Sequence, residues 1–312
     1  VYKNNKSINF FEKMENIQFL KIKSKIYSFM EQFEIIYKLP RNIDLYWSPH
    51  YTYPILLNTK ILLTIHDVYH LKYTKHLIKK IYSKLIFLFI KSKVNYIIAV
   101  SNFTKNELVN YANIKRDIIK VIHNGIDIKN NNCENKNMIL TVGNLKKHKN
   151  IKILIDAFEK IQHHIIYDLY IVGNFKTIRN VDKKSLIAIK QNNRIHLIGE
   201  ISYNQLKQYY KKSILYVHPS IYEGFGFPPI EAMNYSCPTL VSNASSIPEI
   251  CGDASEYFNP TDVNELSMKI LNILNNSNVQ KNMVDKGIKR VQKFDINSTI
   301  YKTIKVIEDY VN

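Results

Sequence analysis

Two glutamates with seven residues between them, Glu223 and Glu231, bracket a glycine-rich stretch of the chain. Gly224 and Gly226 let the backbone approach a ligand closely. The prolines that follow favour the first turn of a helix, where unpaired N–H groups suit a pyrophosphate. A carboxylate accepts paired hydrogen bonds from neighbouring hydroxyl groups. Two carboxylates around a phosphate cradle therefore predict a sugar on one side and a ribose on the other.

Each of these features also has an ordinary structural explanation. A loop glutamate, or a glutamate at the start of a helix where the macrodipole favours negative charge, needs no ligand. The combination of both glutamates, both glycines and the two adjacent prolines, Pro228 and Pro229, nevertheless favours a ligand site.

Further candidate site residues come directly after segments that have the pattern of buried strands. His66 comes directly after the apolar run 60–65, with Asp67 beside it, and ligands of α/β proteins bind at the carboxyl ends of strands. A lone histidine is more often structural, so the position alone leaves both interpretations open. Ser101 and Asn102, after the run 96–100, are weaker candidates of the same kind.

The elements that position these residues can be predicted from short apolar runs with the β-branching of buried strands. These runs are 60–65, 96–100, 138–142 and 168–172. Each is followed by a turn and a helical pattern, an order that predicts right-handed βαβ units and parallel sheets covered by helices. Beyond the third run, the predicted helices are 150–162, 182–191 and 202–212, and the further strands are 194–198 and 214–218. We therefore expect an α/β protein with Rossmann-like cores.

At 312 residues the chain is long enough for two domains of ordinary size. The polar stretch 129–137 has no apolar periodicity and predicts a linker between a first domain, 1–128, and a second, 138–294. Residues 295–312 predict a final helix that can pack back on the first domain. The first predicted strand, 17–22, has no βα unit before it, so we expect the first domain to be incomplete at the front.

The formal net charge of +18 is compatible with several anionic partners. Only five of the 44 basic residues are arginine, and Lys, Asn, Ile and Tyr are abundant throughout, as an AT-rich coding sequence would produce. We therefore expect no nucleic-acid partner, because a phosphate-bearing small substrate or an anionic membrane explains the charge equally well.

Residues 75–93 combine an apolar stripe with several lysines, a pattern with two explanations. Such a helix can lie in a membrane interface with its lysines on anionic headgroups. It can also be a helix that covers a sheet and has a solvated edge, which is the commoner case. A peripheral membrane contact is thus a hypothesis at this point.

Cys133, Cys237 and Cys251 show no metal-ligand spacing, and their odd number argues against a disulfide framework. No secretory signal opens the chain, and no run of apolar residues is long enough to span a bilayer. We expect a cytoplasmic protein, with possible peripheral contact at the inner membrane face, and no metal or other cofactor.

The loop 219–233 resembles the E-x7-E signature of the retaining glycosyltransferases of family 4. Five further stretches resemble blocks of that family and come in the family's order: 99–108, 123–127, 142–150, 242–249 and 251–254. The resemblance covers nearly everything from about residue 44 onward. It implies the GT-B fold, two Rossmann-like domains that face a central cleft, and transfer of a sugar from a sugar nucleotide.

The resemblance also implies roles for individual residues. Glu231 matches the glutamate that holds the ribose hydroxyls of the donor, and Glu223 matches the one that contacts the transferred sugar. Lys149 occupies the position of a lysine on the donor diphosphate, and His66 that of a histidine facing the donor sugar. The catalytic set implied is thus His66, Lys149 and Glu223, and the remaining donor-binding positions are Gly143, Gly224, Phe225, Gly226, Phe227 and Glu231.

This sequence departs from the family pattern at three places. The arginine that many relatives carry just before the lysine is absent, and Lys146 or Lys147 would replace it without bidentate geometry. Ser236 stands where a glycine usually follows the helix of the second glutamate. The glycine-rich first loop of the acceptor-side domain has no counterpart among the 312 residues.

The resemblance to mannosyl- and rhamnosyltransferases implies a retaining hexosyltransferase. We expect GDP-mannose as the donor and a glycan or lipid-linked acceptor in the synthesis of surface polysaccharide or lipopolysaccharide. No metal is implied, because the metal-binding Asp-x-Asp motif is absent and lysine can supply the positive charge. The alternative is a non-catalytic relative that binds a sugar nucleotide or a partner protein.

Overall fold

The computed structural model describes residues 16–24, 28–73, 77–128, 136–175 and 183–312. Within these ranges the chain forms two compact units. The first consists of residues 1–100, 105–121 and 303–312, and the second of residues 101–104 and 122–302. Most of the predicted linker, residues 129–135, lies outside the described residues, so the predicted domain boundary stays a prediction.

A parallel sheet of four strands, in chain order, forms the centre of the first unit. The elements that build this part of the chain are α1 (Phe29–Lys38), β1 (Leu45–Ser48), β2 (Lys60–Ile65), α2 (Tyr69–Tyr73), α3 (Leu77–Lys93), β3 (Tyr96–Ala99), α4 (Asn102–Ala112) and β4 (Ile119–Val121). Buried aliphatic side chains of β2, β3 and α3 form the core, among them Ile61, Leu63, Ile65, Ile86, Ile90 and Ile97.

Six parallel strands form the sheet of the second unit, in the order β10-β9-β8-β5-β6-β7. The elements are β5 (Met138–Val142), α5 (Ile151–Ile161), β6 (Asp168–Val172), α6 (Lys183–Gln191), β7 (Ile195–Gly199), α7 (Tyr203–Lys212), β8 (Ser213–His218), α8 (Phe227–Asn234), β9 (Thr239–Ser242), α9 (Ile247–Cys251), β10 (Glu256–Phe258), α10 (Val263–Leu274), α11 (Ser277–Val291) and α12 (Ile296–Val311). Leu154 and Phe158 of α5 pack with Leu169, Ile171 and Leu215 of the strands to form a core without exposed surface.

The two parallel sheets confirm the predicted α/β class. Strands β2, β5 and β6 have the predicted bounds, and α5, α6, α7 and β8 lie within one residue of them. The last two turns of α12 belong to the first unit. There, Lys60 Nζ donates a hydrogen bond of 2.7 Å to the carbonyl oxygen of Val311, and the ring of Tyr310 lies 4.8 Å from that of Tyr96.

The predicted strand at 17–22 is wrong, because these residues form no strand in the structure. The backbone N–H groups of Lys23 and Ser24, immediately after it, donate to the carboxylate of Glu34 on α1 at 2.8–3.1 Å. A side chain of a helix thus binds the backbone at the end of this segment, which makes only an isolated bridge at Lys21. The apolar alternation of the segment could not reveal this partner.

Helix α3 begins at Leu77, close to the predicted start of its pattern at residue 75. Ile86, Phe87 and Ile90 are buried in the core of the first unit. On the same helix, Ile81, Leu85, Leu88 and Phe89 are 38–62% exposed. Helix α3 therefore covers the sheet and also presents a second apolar row to solvent. Among the described residues, no helix is sufficiently long and apolar to cross a membrane.

Close backbone contact between Gly143 and Gly173 joins β5 to β6 at the ends of these strands. A Cβ atom on Gly173 would lie 2.3 Å from the carbonyl oxygen of Gly143, so the backbone would have to move. A Cβ atom on Gly143 would meet only the side chain of Lys149, at 3.8 Å.

We expect Gly173→Ala to lower the melting temperature by about 5 °C, since forced repacking typically costs about 1–3 kcal/mol in a domain of this size. Gly143→Ala is the matched control and should melt close to the unmodified protein. Differential scanning fluorimetry measures both, and equal melting temperatures would contradict the close approach at Gly173.

Candidate functional site

Predicted site residues converge on the carboxyl ends of β5 and β8, which are adjacent strands. The chain runs outward from them in opposite directions, through β6 and β7 on one side and β9 and β10 on the other. Such a switch point leaves a crevice where ligands of α/β proteins bind. Gly143 directly follows β5, and the loop with Glu223 and Gly224 follows β8.

Lys149 and Glu223 form an ion pair at this place, with Lys149 Nζ 2.6 Å from Glu223 Oε1. Their side chains are 19% and 15% exposed, so the pair is largely shielded from water. Lys149 lies in a short 3₁₀ turn before α5. The N–H of Ile221 donates to the carbonyl oxygen of His148 at 2.9 Å, which holds the lysine turn and the glutamate loop together.

His218, the last residue of β8, is a second neighbour of Glu223 that the sequence analysis missed. Its Nε2 lies 3.3 Å from Glu223 Oε1 without the alignment of a hydrogen bond, and its Nδ1 lies 3.0 Å from the hydroxyl of Tyr216. Burial lowers the pKa of His218, because the charged ring would lose its hydration. Burial alone would raise the pKa of Glu223, but His218 and Lys149 together hold it well below its usual range.

Glu231 lies within the first turns of α8, where burial raises its pKa. The hydroxyl of Tyr210 on α7, itself completely buried, donates to Glu231 Oε2 at 2.9 Å. This uncharged partner lowers the pKa of the carboxyl only in part. Tyr210 is another residue that the sequence analysis did not identify, because a tyrosine in a helix gives no sign of its tertiary partner.

The loop between the two glutamates has the backbone that its glycines predict. Gly226 adopts φ 110°, a left-handed conformation, and a Cβ atom there would lie 2.6 Å from Ile247 Cδ1. The backbone conformation therefore favours glycine, and any larger residue would also displace the end of the Ile247 side chain. Phe225 is buried, whereas Phe227, the first residue of α8, is 40% exposed.

Ser236 follows α8 at the place where the family resemblance would put a glycine. It adopts φ 55°, a left-handed conformation that disfavours residues with a Cβ atom. The structure thus explains the family preference, and the serine is accommodated here at some cost in backbone energy.

His66 and Asp67 belong to the first unit, where they follow β2. His66 is exposed, and Asp67 Oδ1 accepts a 2.9 Å hydrogen bond from the N–H of Tyr69 at the start of α2. His50, after β1, was not predicted. Its pKa is lowered to about 4, chiefly by burial and then by His70 and His66. The role inferred for His66 stays a prediction.

Within residues 16–24, 28–73, 77–128, 136–175 and 183–312, no group of three or more His, Cys, Asp or Glu side chains is arranged to hold a metal ion. The positive charge next to Glu223 comes from Lys149. The expectation that no metal is needed stays a prediction.

Solved structures with this arrangement of two parallel-sheet α/β domains include a glycosyltransferase from Rickettsia africae. That protein is 20% identical, with a TM-score of 0.77 over 99% of this chain and 89% of its own. Anabaena Alr3699/HepE, in a complex with UDP, is 17% identical, with a TM-score of 0.74 over 86% of this chain and 79% of its own. The fold is that of the GT-B glycosyltransferases.

Two family models cover most of the chain. Glycosyl transferases group 1 matches residues 124–290, and Glycosyltransferase Family 4 matches residues 10–130. Among curated proteins, the O-antigen chain mannosyltransferase RfbU of Salmonella typhimurium is 29% identical over 250 residues, which are 80% of this chain and 69% of RfbU. The chain belongs to the glycosyl transferases group 1 family, as the motifs predicted.

Ionisation of Glu223 should stabilise the second unit in a manner that depends on pH. Because its pKa is lowered on folding, the stabilisation is complete above the pKa of unfolded glutamate, about 4.3, and is lost as the pH falls towards the folded pKa. We expect the melting temperature of Glu223→Gln to fall less steeply than that of the unmodified protein between about pH 6 and about pH 3.5.

Glu256→Gln is the control, since Glu256 is about half exposed and its lysine neighbour lies 3.7 Å away. Its melting curves should shift with pH as those of the unmodified protein do. An identical pH dependence for Glu223→Gln would mean that this carboxylate gains nothing from its partners.

Proposed function

We propose that this chain is a retaining hexosyltransferase that transfers mannose from GDP-mannose to a glycan or lipid-linked acceptor during synthesis of surface polysaccharide. The observation that carries this proposal is the shielded ion pair of Lys149 and Glu223 at the switch point, close to the glycine loop. It supplies a positive charge for a diphosphate and a carboxylate for sugar hydroxyls in one place.

Lys149 would act on the leaving group. The bond between the anomeric carbon and the diphosphate oxygen breaks, and its electron pair remains on the nucleoside diphosphate. An ammonium group fixed beside that oxygen stabilises the charge that develops there. The acceptor hydroxyl forms the new bond from the same face, and the departing diphosphate takes its proton.

The two glutamates would hold the ends of the donor. Glu223 would accept hydrogen bonds from hydroxyls of the transferred sugar, because pairing with Lys149 and His218 keeps it ionised. Glu231 would accept them from the ribose, since Tyr210 orients its carboxylate through Oε2. Gly143, Gly224, Phe225, Gly226 and Phe227 would line the diphosphate with backbone.

Two donor classes have support from relatives, and they differ in the base. RfbU is named a mannosyltransferase, which favours GDP-mannose. The HepE structure contains UDP, which makes UDP-sugars the second candidate. We place GDP-mannose first because RfbU has the higher sequence identity to this chain.

Thermal stabilisation by GDP-mannose, GDP, UDP-glucose, UDP and a dTDP-sugar tests the donor site, since a ligand of the folded state raises the melting temperature. We expect a shift with GDP-mannose and GDP. Glu231→Gln and Lys149→Ala should each weaken the affinity by about tenfold to hundredfold, as loss of a charged hydrogen bond predicts.

Lys152→Ala is the matched control, because Lys152 pairs with Asp156 on the surface of α5 and lies outside the site. It should bind the donor as the unmodified protein does. A shift with UDP alone would overturn the GDP assignment. No shift with any nucleotide would overturn the donor site itself.

Turnover decides between the enzyme and its non-catalytic alternative. With a mannosyl acceptor, a retaining reaction yields an α-mannoside, which the one-bond coupling at the anomeric carbon identifies by NMR. His66→Ala should lower the rate of transfer and leave donor affinity unchanged if the role inferred for His66 is right. Donor binding without transfer to any acceptor would favour the non-catalytic alternative.

We also propose a peripheral membrane contact through α3. The exposed row of Ile81, Leu85, Leu88 and Phe89 would enter the headgroup region, and the lysines of the same helix, the exposed Lys84 and Lys91 among them, would meet anionic lipids. Buried Phe87 and Ile90 show that this row is separate from the face that packs on the sheet.

Reversing three charges, with Lys79→Glu, Lys80→Glu and Lys84→Glu, should reduce sedimentation with anionic vesicles by about tenfold or more, since each basic residue contributes roughly 1 kcal/mol. Neutral vesicles are expected to bind weakly throughout. The control reverses three lysines of α11 and its end, Lys281, Lys289 and Lys293. Equal binding by both triple variants, or no binding by the unmodified protein, would rule out this surface.

A further inference from the structure

Buried hydroxyl groups hold three successive carbonyl oxygens of the loop that follows β8. Ser246 Oγ shares its single proton between two carbonyl oxygens, that of Glu223 at 3.0 Å and that of Phe225 at 2.8 Å. Between them, the carbonyl oxygen of Gly224 accepts from Ser101 Oγ at 2.6 Å and Thr104 Oγ1 at 3.1 Å. All three hydroxyl side chains are at most 1% exposed.

These hydrogen bonds fix the planes of three peptide groups. In a trans peptide the N–H of one residue points opposite to the carbonyl of the residue before it, and the described chain has no cis peptide. With their carbonyl partners bound to the hydroxyl groups, the N–H groups of Gly224, Phe225 and Gly226 point away from this layer. Among the described residues, none accepts a backbone hydrogen bond from these three N–H groups.

Glu249 fixes the turn that carries two of the hydroxyl groups. Its carboxylate accepts from the N–H groups of Asn102 at 2.7 Å and Phe103 at 2.9 Å, and it contacts His123 Nε2 at 2.8 Å. Burial alone would raise the pKa of Glu249, but His123 and these N–H groups lower it, so the carboxylate stays charged.

Ser101 completes the same arrangement. Its Oγ accepts from the N–H of Thr104 at 3.0 Å, as an N-cap residue does. This oxygen thus accepts from the backbone of α4, and of the two acceptors near its proton the carbonyl oxygen of Gly224, at 2.6 Å, is closer than Thr104 Oγ1, at 3.1 Å. The weaker sequence candidate Ser101 is therefore buried against the loop and does not face solvent.

We propose that Ser101, Thr104 and Ser246 are positioning residues that orient the N–H groups of residues 224–226 towards the diphosphate of a nucleoside-diphosphate donor. This inference rests on the proposed function, because it assumes that the loop binds the donor. The hydroxyl groups contact only protein; the backbone that they orient would contact the ligand. Their loss should therefore weaken recognition of the β-phosphate and spare that of the nucleoside.

Isothermal titration of GDP and GMP, or UDP and UMP if the unmodified protein binds uridine nucleotides, separates these two contributions. We expect Thr104→Val and Ser246→Ala each to weaken diphosphate affinity by about threefold to tenfold, the effect of one neutral hydrogen bond. Monophosphate affinity should change less than about twofold. Thr104→Ser should restore diphosphate affinity, because it restores the hydroxyl.

Ser267→Ala is the matched control. Ser267 is also a buried serine of the second unit whose hydroxyl donates to a backbone carbonyl, that of Val263 at 2.8 Å. Its loss should affect stability and leave the ratio of diphosphate to monophosphate affinity unchanged.

The possible outcomes separate this inference from the proposed function. If the unmodified protein binds no nucleoside diphosphate, the proposed function fails. If it binds and the Thr104→Val and Ser246→Ala variants lose diphosphate and monophosphate affinity equally, or behave as Ser267→Ala does, the positioning role is overturned. Should Ser246→Ala fail to fold, the comparison of Thr104→Val with Thr104→Ser tests the positioning role, because valine keeps the size of the side chain and serine keeps the hydroxyl.

Discussion

The charged state of one shielded carboxylate, Glu223, imposes conditions on the surrounding structure. Removing a carboxylate from water is costly unless charges or hydrogen bonds replace the lost hydration. Lys149, at 2.6 Å, and His218, at 3.3 Å, together provide that compensation. His218 ends β8, and Lys149 lies in the turn between β5 and α5, so the sheet brings these partners together by placing β5 and β8 side by side.

The part of the candidate site that residue spacing predicted is contiguous in sequence. Glu223, Glu231 and the glycines between them form a single loop and helix start, so their spacing survives in the printed sequence. Tyr210 and His218 were missed because their importance comes from packing across the fold. No local pattern distinguishes a tyrosine that holds a carboxylate from one that only fills a core.

Some strands were predicted correctly and others were missed, and in each case the reason is physical. Strands β2, β5 and β6 could be predicted from their β-branched runs, because both faces of a parallel sheet are covered and such strands are apolar throughout. Strand β4 has only three residues and was not recognised. The segment 17–22 had a strand-like pattern, yet Glu34 holds the backbone just beyond it.

Three buried or partly buried glutamates of the second unit show how the environment assigns different properties to one side chain. Glu223 and Glu249 each have a cationic or N–H partner, and their pKa values fall. Glu231 has the neutral hydroxyl of Tyr210, and its pKa rises because burial outweighs that single hydrogen bond. Of these three carboxylates, Glu231 is the one whose burial is compensated least. Ligand hydroxyl groups that donate to it would supply the missing hydrogen bonds, which is the physical reason for proposing that Glu231 binds the ribose of the donor.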